Sequence, residues 1–179
     1  MTQRGIHIGE AFAGDGDNVA HVNLVIGDRA ALGPAWAIAL ASPAVGHVPF
    51  VTVIKPGVPV KPMTLFVSKA SIANDRHGIL TWGAAQAGVA IGMSDAVAAG
   101  EIPVDQVEDL VAIAAVWVNP AADDAEAIFW NNVKSTRDAV TAAVHHLPSV
   151  EEVLAARSDC QNPFFDPRKL LAGGPPELA

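Results

Sequence analysis

Two residues near the start of this 179-residue chain are of types that move protons and hold polar ligands: His21 and Asn23. They stand two apart in Val19-Ala20-His21-Val22-Asn23-Leu24-Val25-Ile26, a run with strand character. A strand sends alternate side chains to opposite faces. Ala20, Val22, Leu24 and Ile26 then make one face wholly apolar, and His21 and Asn23 share the other with Val19 and Val25. An imidazole titrates close to neutrality and can give or take a proton there. A carboxamide both donates and accepts hydrogen bonds. Lys69 and Ser71 repeat the same spacing at the end of Thr64-Leu65-Phe66-Val67-Ser68-Lys69-Ala70-Ser71-Ile72, on a face shared with Leu65 and Val67. Gln86 is the one long polar side chain in the small-residue patch from Gly83 to Gly92. General acid–base work on a bound polar ligand is the chemistry that these types would support. It requires the two strands to lie close together.

The elements that would position these groups alternate along the chain. Residues 5–13 have the pattern of a strand, paired with the His21 strand through the turn at Gly14-Asp15-Gly16, where Gly reaches positive φ and Asp bonds its own backbone. Residues 28–42 suit a helix capped by Asp28, with Pro34 as the alternative starting point. His47 to Lys55 is expected as one strand ended by Pro56-Gly57, and Pro59-Val60-Lys61-Pro62 as a stiff loop. Residues 74–99 are helical in character, with Gly100 as C-cap. Their glycines each cost about 1 kcal/mol in a helix, which calls for close approach of another backbone or a break near Gly83. Leu110 to Val118 is apolar throughout and is expected as a strand covered on both faces. Residues 121–146 make an amphipathic helix with Ala127, Trp130, Val133 and Val140 on its buried face. A short helix at 149–157 and an extended tail from Asn162 complete the pattern.

Composition bounds the function. Hydrophobic residues make up 51% and charged residues 17%, a globular balance. A net charge of −8 argues against nucleic acid as a partner, because such binding neutralises phosphates with Lys and Arg. The longest apolar run, Leu110 to Val118, is far short of the ~20 residues that span a bilayer. A single cysteine, Cys160, and the lack of a signal-peptide pattern fit a cytoplasmic location. None of the six histidines stands at an established ligand spacing, so no metal site is expected. Asp105, Glu108 and Asp109 have the character of a solvated turn. No phosphate loop, dinucleotide fingerprint or nucleophile elbow occurs.

Three blocks of the chain together resemble the formaldehyde-activating enzyme family. They are Gly9-Glu10-Ala11 through Gly14-Asp15-Gly16 to Val19-Ala20-His21; Lys61-Pro62 with Thr64-Leu65 through Lys69; and Gly83 to Gln86 with Gly88-Val89-Ala90. Ile102-Pro103, Asp109-Leu110 and Ala122-Asp123-Asp124-Ala125 extend the likeness over residues 5–145. The resemblance implies an α+β fold, a two-layer α/β sandwich similar to domain 2 of ribosomal protein S5, over residues 1–160, with a C-terminal tail over 161–179. It implies condensation of formaldehyde with tetrahydromethanopterin, as co-substrate, to 5,10-methylene-tetrahydromethanopterin and water, without a metal. It also implies a homopentamer with sites between subunits. Carried over by position, the catalytic residue and general acid is His21, and the pterin-contacting residues are Asn23, Val51, Lys69, Ser71 and Gln86. The family pattern has an aspartate where this chain has Asn23 and a threonine where it has Ser71. Loss of that negative charge leaves two alternatives: a formaldehyde- or pterin-binding carrier or sensor without turnover, or condensation with another amine cofactor.

Overall fold

The computed structural model describes residues 5–161 and 165–173; the rest of the expected tail, 162–164 and 174–179, lies outside the described residues. Strands β1 (Ile6–Ala13) and β2 (Ala20–Asp28) form the expected antiparallel hairpin. Its turn is fastened from outside: Asn131 Nδ2 donates to Asn18 O at 2.8 Å, and the amides of Asp123 and Asp124 donate to Asn18 Oδ1 at 3.1 Å. Helix α1 (Arg29–Ala41) follows, started by Asp28, whose Oδ1 accepts from Ala31 N at 2.9 Å; Pro34 lies inside the helix and does not mark its start.

The strand expected from His47 to Lys55 is instead two short ones, β3 (Pro49–Val51) and β4 (Val53–Lys55). The chain leaves the main sheet at Thr52, where β4 turns to pair with β5 (Val58–Pro59). Buried Thr52 accounts for the change: its amide donates to Thr64 O, but its carbonyl accepts from Val60 N. Strand β6 (Met63–Ser68) and strand β7 (Leu110–Val118) pair in parallel, giving the five-stranded order β1-β2-β7-β6-β3. The connection between them carries α2 (Asp75–Ile79), a π-helical stretch over Leu80–Ala85 and α3 (Gln86–Ala98). Near Gly83 the helix therefore widens rather than breaks.

Helices α3 and α4 (Ala125–His145) cover the face made by Ala20, Val22, Leu24 and Ile26, together with Phe66, Ala112, Ala114, Val116 and Val118. These side chains are nearly inaccessible, and each buried Leu, Ile or Val contributes about 1.5–3 kcal/mol relative to exposure. The glycines of α3 have the expected reason. A Cβ at Gly88 would lie 2.5 Å from Phe129 O, and one at Gly92 would lie 2.7 Å from Val133 O. The buried stripe of α4 differs from the expected one: Trp130 is 58% exposed, while Asn132, Ser135 and Thr136 are buried. Close contact with the α3 glycines admits Asn132 and Thr136, and Asn132 Nδ2 donates to Ile128 O at 2.8 Å.

The opposite face is covered only in part. Leu32 of α1 is buried beside Gly27, and Trp36 Nε1 donates to Ala112 O at 3.1 Å. Strand β7 is thus not covered on both faces along its length. On the α1 side Val111 is buried, but Ile113, Ala115 and Trp117 are half-buried because the helix does not reach that far. The result is an α+β fold with an open half-face on its sheet.

The described residues up to 147 form one compact unit, and the described ones from 148 onward form another. The second holds α5 (Val150–Ala156), with Ser149 and Glu152 in a capping box, and α6 (Arg168–Gly173). Helix α6 corrects the extended tail: Asp166 Oδ1 accepts from Arg168 N, and Pro167 O accepts from Leu170 N and Leu171 N, so a cap and a proline start a turn there. Among the described residues, no helix is long and apolar enough to cross a membrane.

Candidate active site

The open half-face carries the polar groups. In β2, His21 lies opposite Phe12 of β1 and Trp117 of β7, and Asn23 lies opposite Glu10 and Ala115. Alternation points all of these to the side away from α3 and α4. Lys69 follows β6 directly, and its amide donates to Val116 O at 2.8 Å, extending the pairing with β7 by one residue. That bond aims its side chain across β7 at β2. Lys69 Nζ lies 3.2 Å from His21 Nδ1 and donates to Asn23 Oδ1 at 2.5 Å. Asn23 Nδ2 lies 3.1 Å from His21 Nε2, and Glu10 Oε1 lies 3.0 Å from the same nitrogen. The Phe12 ring stacks on the imidazole, with centroids 3.8 Å apart and planes at 12°.

The remaining expected residues are placed differently. Val51 pairs with Leu65 and so shares the face of Lys69, half-buried on the edge strand β3. Ser71 is exposed in the loop after β6, beside the turn at Gly46, where a Cβ would lie 3.2 Å from its Oγ. That loop is held by buried His77: Nδ1 accepts from Ala73 N at 3.1 Å, and Nε2 lies 3.0 Å from Val118 O. Gln86 belongs to the helical layer on the other side of the sheet; it is buried, and its amide donates to Val53 O at 2.9 Å. Within one chain, His21, Asn23 and Lys69 meet, Val51 shares their face, and Gln86 does not join them.

Burial pushes the His21 pKa below its ordinary value, and the Lys69 ammonium pushes it the same way; Glu10 opposes both through its charge and hydrogen bond. Desolvation also lowers Lys69, again opposed by Glu10. A lysine has only protons to offer, so Nδ1 accepts from Lys69, and the neutral ring keeps its own proton on Nε2. The arrangement presents a neutral imidazole beside an ammonium whose proton is held less tightly than usual.

The sequence profile of the family described as formaldehyde-activating enzyme (Fae) matches residues 8–165. The chain belongs to the formaldehyde-activating enzyme family. It is 38% identical to the 5,6,7,8-tetrahydromethanopterin hydro-lyase of Methanosarcina barkeri over 158 residues, which cover 88% of this chain and 89% of that one. It is 40% identical over 148 residues to the bifunctional enzyme Fae/Hps of Methanosarcina acetivorans, covering 82% of this chain and 38% of that one. The corresponding enzyme of Methanosphaera stadtmanae is 37% identical over 172 residues, 96% of this chain and 42% of its own length. The chain thus spans about two fifths of the length of these bifunctional relatives.

Three neighbours of His21 in this formaldehyde-activating enzyme family member escape a reading of single strands: Glu10, Phe12 and Trp117. The signal for the first two was present in the hairpin. Its register across the Gly14 turn sets residue 12 against 21 and residue 10 against 23. Trp117 depends on the β2–β7 pairing, which no local pattern specifies. Among the described residues, no group of three or more His, Cys, Asp or Glu is placed to hold a metal ion.

Proposed function

We propose that the chain condenses formaldehyde with tetrahydromethanopterin to 5,10-methylene-tetrahydromethanopterin and water, with His21 as the general acid. The observation that carries this reading is the cluster of His21, Lys69 and Asn23 within 3.2 Å on an open sheet face. Formaldehyde and a reduced pterin react without assistance, so holding both in the right pose supplies part of the acceleration. In the first step the pterin N5 lone pair adds to the formaldehyde carbon, and the N5 proton passes to the oxygen, giving a carbinolamine. In the second, the C–O bond breaks and the hydroxyl leaves as water after taking a proton. The N10 amine then closes the ring and releases a proton.

A ring that rests neutral relays the N5 proton to the oxygen. A second proton, taken from solvent and given back when N10 releases its own, makes it an imidazolium whose depressed pKa favours transfer to the departing hydroxyl. Lys69 turns from Nδ1 to a polar or anionic part of the pterin, which frees Nδ1 for that proton. Asn23 and Ser71 hydrogen-bond the pterin, and Val51 gives it an apolar edge. Gln86, in the helical layer, contributes from a neighbouring copy in a pentamer. The exposed row Ile6, Ile8 and Phe12 on β1 supports such assembly. An S5-like topology and a cytoplasmic location belong to the same reading.

The test mixes purified protein with tetrahydromethanopterin and formaldehyde and follows the methylene adduct against the uncatalysed rate. Acceleration is expected, and it falls in His21→Ala. Pterin binding without acceleration overturns the enzyme in favour of a carrier, the alternative that Asn23 favours by withdrawing a charge from the imidazole.

A further inference from the structure

The Asn23 carboxamide cannot do for His21 what a carboxylate at the same position would, and its geometry shows why. Lys69 Nζ donates to Asn23 Oδ1, which fixes the amide with its NH2 group toward the ring, 3.1 Å from His21 Nε2. The other ring nitrogen, Nδ1, accepts from Lys69. A neutral imidazole with Nδ1 as acceptor carries its proton on Nε2. Asn23 Nδ2, itself a donor, cannot receive that proton. Among the groups that face the ring, Glu10 from β1 carries the negative charge, and Lys69 carries the positive one. Asn23 from β2, Phe12 from β1 and Trp117 from β7 are uncharged. Glu10 Oε1 lies 3.0 Å from Nε2, within reach of its proton.

We propose that Glu10 is the positioning carboxylate of this site: it holds the His21 imidazole with its proton on Nε2 and offsets the charge that the ring takes up, the task that Asn23 leaves undone. The cross-strand register makes this possible. Glu10 sits directly opposite Asn23, so its longer side chain reaches diagonally to the nitrogen that a shorter carboxylate on β2 would address. Phe12, stacked on the ring from the adjacent position of the same face, limits the imidazole's swing and keeps Nε2 toward Glu10. Half of the Glu10 side chain is exposed. Solvent therefore weakens the pair, and the effect expected is moderate. For its kinetic consequence this inference rests on the proposed function; the protonation of His21 does not depend on it.

The experiment is histidine NMR on the full chain, with His21 assigned by its absence from His21→Gln. An exposed side chain at position 10 lets Glu10→Gln and Glu10→Ala fold. Glu10→Gln is expected to lower the His21 titration midpoint by about one pH unit. Glu10→Ala lowers the midpoint likewise and shifts the Nε2 15N signal as its proton loses the carboxylate, while Lys69 keeps the proton off Nδ1. Adding Asn23→Asp to Glu10→Gln restores the midpoint, because the missing charge returns from β2. In turnover, Glu10→Gln lowers kcat by less than about tenfold, because the greater acidity of a scarcer imidazolium offsets part of the loss, with the pterin KM little changed. A midpoint and 15N shifts that stay at wild-type values in both Glu10 variants overturn the proposal. The NMR arm needs no turnover, so a wild-type chain without condensation activity fails the functional reading and not this one.

Discussion

The two faces of β2 are made from one stretch of chain and are built on opposite rules. On one, Ala20, Val22, Leu24 and Ile26 are buried under α3 and α4, helices that Gly88 and Gly92 bring close to each other, and no polar side chain of β2 enters the contact. On the other, His21 and Asn23 touch an ammonium, a carboxylate and an aromatic ring at 2.5–3.8 Å, with solvent still in reach. The difference teaches a division of labour at single-residue resolution. The packed face fixes the strand in place, and that rigidity lets the opposite face hold groups that repel or desolvate one another. A polar cluster with lowered proton affinity at both His21 and Lys69 is not a stabilising feature; the helical side must carry its cost.

That division is broken most directly by exchanging the roles of neighbours. Leu24→Ala removes a fully buried side chain and should cost about 2–5 kcal/mol of stability, read from urea denaturation, while kcat per folded molecule stays near wild type. His21→Ala, three residues earlier, should do the reverse: kcat falls about 10²-fold, and the denaturation midpoint shifts little. A large loss of stability in His21→Ala would mean that the open face also holds the fold together. On the helical side, Gly88→Ala forces a methyl group to 2.5 Å from Phe129 O and should destabilise by about 1–3 kcal/mol through overpacking. A Gly88→Ala chain as stable as wild type would show that α3 and α4 can separate without penalty.

The sequence made the packed face legible and only part of the open one. Alternation in Ala20–Ile26 and the Ala- and Gly-rich character of α3 are local signals, and both faithfully report burial, because an apolar side chain at a strand or small-residue position has few other uses. The π-helical stretch at Leu80–Ala85 and the departure of the chain at Thr52 carry no such signal; each depends on which carbonyl a given amide finds in the folded molecule. Trp130 misled for a related reason. Apolar periodicity marks it as buried, yet the stripe includes Asn132, Ser135 and Thr136, of which Asn132 and Thr136 fit against glycine where an indole does not. The site behaves in the same way: His21, Asn23 and Lys69 are visible as spaced polar residues on strand faces, but their meeting depends on the β2–β7–β6 order. The family likeness adds Val51, which no pattern of its own would single out; Gln86 stands out as the one long polar side chain of its helical patch, yet one chain keeps it on the far side of the sheet.

The smallest expected effect concerns protons and tests whether the open face burdens the fold. Burial and Lys69 hold the His21 pKa below its ordinary value in the folded chain, whereas the unfolded chain binds that proton at about pH 6.5. Above that pH neither state carries it, and His21 costs nothing. As the pH falls below it, the unfolded state takes up the proton first, so stability is lost until the folded-state pKa is passed. Wild type should therefore lose slightly more stability than His21→Gln over this interval, measured by urea denaturation at successive pH values. Lys69→Met removes one of the two causes of the shift, so His21 should titrate nearer its ordinary value and the extra loss should shrink. If Lys69→Met instead widens the gap between wild type and His21→Gln, the ammonium supports the ring rather than opposing its charge, and the contrast between the two faces is drawn in the wrong place.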